Sequence, residues 1–171
     1  AGHFTNGKGY YEQEKLDQDL LDYGLSNITL TNDTITSTDL IRRKWLNNDF
    51  GGITFSVKHV KENLNLIFGG AANKYSGQHY GNIVWAEYAS NGDYNHEYYR
   101  NIATKFDNNI YLKSNYKASD NTSFFMDLQL RTLIYEFNGN DISGDIDRQE
   151  VNLEFFNPKF GLSHYLNKNQ L

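Results

Sequence analysis

Apolar and polar residues alternate along this chain in long, regular stretches. The clearest runs over Thr122–Phe137, where Phe124, Met126, Leu128, Leu130, Thr132 and Ile134 fall on one side. Asp127, Gln129, Arg131, Leu133 and Tyr135 fall on the other, the period-two signature of a β-strand with unlike faces. Phe106–Lys117 alternates in the same way and predicts its hairpin partner. A second hairpin is predicted from Phe50–Val60 and Leu64–Tyr75, with one further strand at each end, Gly7–Lys15 and Val151–Ser163. Pro158 falls within the last of these, and a proline inside a ladder predicts a bulge or an edge position.

The connectors between these stretches are unequal. Lys61-Glu62-Asn63 and Ala118-Ser119-Asp120-Asn121 are short, whereas Leu16–Asn48, Ser76–Lys105 and Gly139–Glu150 read as long loops rich in Tyr and Asn. Tyr80–Tyr88 and Tyr94–Ile102 read as strand extensions within the second. A hairpin-plus-loop unit recurs along the chain, with polar turns at Lys61–Asn63, Ala118–Asn121 and again near Tyr165–Asn169. Short turns on one rim and long loops on the other are the layout of an outer-membrane barrel wall. Thr122–Phe137 also exceeds the ~9–11 residues that a tilted membrane strand needs.

Two local signals depart from the strand pattern. Ser37-Thr38-Asp39 offers capping oxygens ahead of Leu40, Ile41, Lys44 and Trp45 at helical spacing, which predicts a short helix over Asp39–Leu46. The small residues Gly69, Gly70, Ala71 and Ala72 mark either a place where something bulky packs against the wall or a local bend.

Composition supports a wall more than a soluble core. Aromatic residues make up 15% of the 171 residues while all apolar types together reach only 39%. Outer-membrane walls carry aromatic belts at both interfaces. No stretch approaches the ~20 apolar residues of a membrane helix. With a net charge of -5 and no basic tract, a nucleic-acid partner is not expected. Absence of cysteine removes disulfides and thiolate metal sites.

About six long strands fall short of the eight or more that membrane barrels use to close. Residues 1–171 are therefore read as a single barrel segment, an all-β antiparallel up-and-down meander forming an arc of a larger barrel. The pieces GKGYYEQEKLDQDLLDYGL, STDLIRRKWLNNDFGGITFSV, FGGAANKYSGQHYGNIVWAEYAS and FFNPKFGLSHYLN together resemble the wall of a TonB-dependent outer-membrane receptor of Gram-negative bacteria. That resemblance implies active uptake of a scarce nutrient, whether an iron chelate, cobalamin or a glycan. It also implies a location in the outer membrane and contact with its lipid. The TonB energising complex would be a partner through a plug that these residues do not include.

Catalytic chemistry is not expected, nor is a cofactor. His96-Glu97-Tyr98-Tyr99-Arg100 begins like a zinc-protease motif but carries Arg100 where the second histidine belongs. His3, His59, His79 and His164 are scattered without ligand spacing. Asp141, Asp145 and Asp147 flank the turn-forming Gly144 and form a weak calcium candidate, with a solvated acidic turn as the alternative. The candidate ligand contacts are the loop aromatics Tyr80, Trp85, Tyr88, Tyr94, Tyr98 and Tyr99, whose rings and neighbouring amides suit a glycan or small molecule. The same rings could form an interface girdle. Lys113, Asn115, Asp127, Gln129 and Arg131 are expected to face a wet lumen.

Two consequences separate the barrel reading from its rival. An isolated arc has open edges and one bare apolar face, so it is expected to self-associate. The alternative is a soluble surface glycan-binding β module, in which the faces of two sheets would pack against each other.

Overall fold

In the computed structural model, which describes residues 1–141 and 144–166 without the side chains of 141–147, alternation becomes one antiparallel sheet. Its strands are β1 (Gly2–Asp19), β4 (Ser37–Lys61), β5 (Leu64–Ala86), β6 (Glu97–Lys117), β7 (Thr122–Asp141) and β8 (Gly144–His164), side by side in that order. The two-residue strands β2 (Ile28–Thr29) and β3 (Thr34–Ile35) form a separate miniature hairpin between β1 and β4. The all-β meander is as expected. Among the described residues β1 and β8 each pair with one neighbour only, so the sheet is open.

The strands are far longer than alternation alone indicated. β4 has 25 residues and begins at Ser37 rather than Phe50, while β5 has 23 and runs to Ala86 rather than Tyr75. Most of the expected long loops is therefore strand, and the true connectors at that end are Leu20–Thr36 and Glu87–His96. The expected helix over Asp39–Leu46 is not formed. Those residues lie inside β4, hydrogen-bonded to β1 on one side and β5 on the other. Leu40 and Trp45 have opposite parity, so their helical spacing is a coincidence that two backbone ladders override. Among the described residues the only helical turn is a 3₁₀ turn, Leu21–Tyr23, closed by Gly24 at φ 67°, a conformation that glycine adopts without strain.

Register fixes which side chains share a face. Phe55, Gly70, Ile110, Leu130 and Phe156 stand in one row across five strands, followed by Val57, Phe68, Leu112, Leu128 and Pro158. Two further rows toward the short turns contain Leu66, Met126 and Phe160, then Leu64, Tyr116, Phe124 and Leu162. Pro158 is thus accommodated on an edge strand, opposite Leu128, without a register shift there. Toward the long loops the same face changes character within a few residues. The row Asn6, Asp49, Ser76, Thr104, Glu136 and Glu150 has no apolar member.

The opposite face is mainly polar in its middle, with Leu133 paired to Leu153 and Phe155 beside Arg131 as its apolar members. Arg131 holds Asp107 through Nε at 2.8 Å and a second contact from Nη2, and Lys113 lies 3.6 Å from Asp127. Glycines on this face are roofed by tyrosines. A Cβ on Gly69 would meet the Tyr111 hydroxyl at 2.5 Å and the Phe55 carbonyl at 2.7 Å. On Gly77 a Cβ would meet the Tyr75 hydroxyl at 2.3 Å. The small-residue stretch thus accepts bulky neighbours, since Gly70 abuts the Phe55 ring on the other face.

Among the described residues the buried core lies at the long-loop end. Leu20, Tyr23, Leu25, Leu40 and Ile83 are buried together, with Ile35, Ala86 and Tyr98 packed against them. Elsewhere no further layer covers either face among the described residues. The accessible surface is 11914 Å², whereas a compact globule of this mass would expose about 8,600 Å². No second sheet of comparable size covers either face among the described residues, so the two-layer packing required of the soluble alternative is not formed.

Candidate functional site

The two long-loop connectors are locked to each other above the polar face. Ser26 N–H donates to Asn91 Oδ1 at 2.8 Å, and His96 Nε2 lies 2.8 Å from the Tyr23 carbonyl. Arg42 reaches up from β4 beneath this cap. Its Nη1 donates to the Tyr23 hydroxyl at 2.9 Å, while Nε and Nη2 both donate to Gln13 Oε1 at 3.2 and 2.9 Å. Tyr88 N–H closes onto Thr38 Oγ1 at 2.9 Å, which ties the second connector to the start of β4.

Directly below the cap the polar face holds a shallow trough of about 560 Å³. That volume lies within the ~300–1,000 Å³ typical of ligand sites. Its upper row runs Tyr11, Lys44, Gly81, Tyr99 across four strands, and its next row includes Gly9, Leu46 and His79. Gly7 and Asn48 form the row after that. An added Cβ would meet nothing within 4 Å at Gly7 or Gly9, so the floor there is open backbone. At Gly81 a Cβ would strike the rings of Tyr99 and Tyr98 at 2.4 and 2.5 Å, so glycine lets both rings lean inward.

The electrostatics of the trough are one-signed. The Lys44 ammonium lies 5.9 Å from the centre of the Tyr99 ring. Among the described residues neither Lys44 nor Arg42 forms an ion pair with a carboxylate, although other cations of the sheet do. Asn48 Oδ1 accepts the Tyr75 hydroxyl at 2.6 Å, which leaves Nδ2 as its unused donor. Burial pushes the Tyr98 hydroxyl up to about 12, and that hydroxyl has no hydrogen-bond partner. Tyr99 is raised too, chiefly by burial, with the nearby Tyr11 adding to the shift.

The six loop aromatics named from sequence do not converge. Tyr98 and Tyr99 sit over Gly81 at the trough, whereas Tyr80 points to the other face. There its ring stacks on Trp45 at 5.8 Å and 7°, with the Arg100 guanidinium 4.4 Å above it. Trp85 and Tyr94 line a separate rim hollow of about 260 Å³, and the ring of Tyr88 is exposed. Lys113, Asn115, Asp127, Gln129 and Arg131 do share one face, as expected. Asp127 and Arg131 are already paired within the sheet.

Sequence reading overlooked Tyr11, Lys44, His79, Asn48 and the two open glycines. Their parity was legible, but Lys44 had been assigned to a helix and the register linking β1 to β4 has no local signal. His96 ends the connector and Glu97 opens β6, where Glu97 holds Arg100 through Nε at 2.7 Å. The calcium candidates Asp141, Asp145 and Asp147 lie outside the described side chains. Among the described residues no helix is long and apolar enough to cross a membrane, which leaves crossing by strands open. Comparison with protein-family models, with curated proteins and with solved structures finds no match.

Proposed function

We propose that the chain is an arc of a TonB-dependent receptor barrel in a Gram-negative outer membrane, serving uptake of a scarce nutrient. The observation that carries this reading is the apolar band on one face, longest on β7 and giving way on the neighbouring strands to Asn108, Lys74, Asn152 and Glu154. From Phe124 to Ile134 the apolar side of β7 rises about 34 Å along the strand, or about 24 Å along the bilayer normal at a tilt of ~45°. An outer-membrane barrel presents an outward band about 25 Å tall. The polar row at Asp49 and Glu136 follows where headgroups and water would begin.

The rest of the architecture fits that assignment. The polar face would line the lumen, and the unpaired edges of β1 and β8 would continue into neighbouring strands of the closed wall. Energy from the TonB complex would reach the ligand through a plug belonging to the intact receptor. Transport needs no catalytic group of this chain. Without lipid or detergent, the band and both edges should drive self-association, and a clean monomer in sedimentation at high concentration would count against the proposal.

Tryptophans placed one residue apart provide the direct test. In liposomes containing brominated lipid, Leu130→Trp should be quenched strongly and Gln129→Trp weakly. Equal quenching at both positions would remove the membrane assignment.

A further inference from the structure

The trough below the cap assembles donors and ring faces without a single described carboxylate on its polar side. Lys44 supplies a full positive charge unspent on any described acid. His79 and Asn48 Nδ2 add further hydrogen-bonding groups within two rows of it, on the same face. Tyr11 and Tyr99 flank Lys44 and Gly81 in one row, and Tyr11 is 54% exposed, so its ring is free to be covered. The open backbone at Gly7 and Gly9 lets a flat ring approach the sheet closely. Arg42 serves differently. Three of its five N–H donors, one from each nitrogen, go to Gln13 and Tyr23, which makes it the post supporting the cap rather than a ligand contact.

From this we infer that the trough binds an acidic oligosaccharide, its sugar rings on Tyr11 and Tyr99 and its carboxylate or sulfate group on Lys44. Rings of this kind stack on aromatic faces, and the shallow trough extends about 14 Å along β1 from Gly7 to Tyr11. Such a form suits an extended chain of rings better than a compact ligand. The anionic group is required by the charge balance: a neutral sugar would leave Lys44 solvated and unused, while an acidic one gains a charge-assisted hydrogen bond. The inference rests on the receptor reading for its biological direction, since it places the site on the lumen side beneath the outer loops. The site itself does not depend on that reading.

The test is binding of a sulfated oligosaccharide and its desulfated counterpart to the whole chain in lipid nanodiscs, followed by calorimetry. The sulfated form should bind at least tenfold more tightly, and the preference should shrink as salt is raised. Lys44→Gln should weaken sulfated binding about tenfold or more and leave the desulfated form unchanged. Tyr11→Ala should weaken both, and Lys58→Gln, elsewhere on the same face, neither. Circular dichroism on each variant separates loss of a contact from loss of the fold. Equal binding of both sugars would overturn the acidic class, and binding of neither by the folded chain would overturn the site. If lipid quenching places the chain in the bilayer while both sugars fail, the inference falls alone. If quenching fails while the sulfated sugar binds through Lys44, the receptor reading falls and the site stands.

Discussion

The two ends of the sheet are held by different means. Near the long loops a small water-excluding core forms, with Leu20 and Leu40 fully buried beneath Tyr23 and the two connectors pinned to each other. Toward the short turns the strands are equally regular, yet Phe124, Leu130, Phe160 and Leu162 stand exposed and nothing among the described residues covers them. One end thus solves its own hydrophobic problem, and the other leaves it to the surroundings. Backbone hydrogen bonds alone do not make an isolated single sheet stable in water. The contrast teaches that a strand may be continuous while its environment changes halfway along it.

Altering the uncovered band should have the largest effect. Leu130→Arg places a charge near the middle of the band and should cost about 2–4 kcal/mol of stability in liposomes, read from urea titration. Gln129→Arg on the opposite face should shift the same titration little. If both substitutions cost alike, the two faces do not see different solvents.

At the capped end, Leu40→Ala should cost about 2–3 kcal/mol, toward the lower part of the range for buried leucine because the loops above it can settle. Hydrogen exchange should accelerate in Leu20–Thr36 and Glu87–His96 while β7 stays protected. Uniform acceleration would mean that the cap and the band unfold as one unit.

Gly69→Ala tests the polar face behind the middle of the band. Its Cβ would press on the Phe55 carbonyl as well as on the Tyr111 ring, so a cost of about 1–3 kcal/mol is expected. Because backbone is involved, adding Tyr111→Ala should not restore the urea midpoint. Full restoration would show that the ring alone sets the requirement for glycine.

The smallest effect concerns pH. Tyr98 is raised to about 12 from the ordinary value of 10, chiefly by burial. The unfolded chain therefore loses this proton more readily than the folded one. Its contribution is fully present below pH 10 and is lost as pH rises toward 12. Absorbance titration at alkaline pH should show a late tyrosine step that disappears in Tyr98→Phe. Since the hydroxyl has no partner, that variant should be at least as stable as the parent at neutral pH. A clear loss of stability would mean that the hydroxyl is held in solution.

Most of β7 but less than half of β4 was legible in sequence, and the physical reason is the same contrast. Where one face is apolar and the other polar, as in Phe124–Ile134, alternation is forced and the strand declares itself. Above the band, Arg42, Arg43, Asn47, Asn48 and Asp49 meet no apolar surface large enough to impose a period. The strand there persists through ladder bonds to β1 and β5, which carry no side-chain signature. This is why Asp39–Leu46 could imitate a helix and why the long loops were drawn too long. The loop aromatics were visible as a set, but their division between two faces and a rim hollow was not.

Sequence by itself determined the all-β class, the meander of hairpins, the two unlike faces and the shared side of Lys113, Asp127 and Arg131, because each depends on a residue and its near neighbours. Tertiary structure decided the length of the strands, the cap built from two connectors and the meeting of Tyr11, Lys44 and Tyr99 in one row. Those follow from register between strands and from loops docking across the sheet. Contacts between residues as distant as Ser26 and Asn91 leave no trace in local order, because register is set by the whole ladder at once.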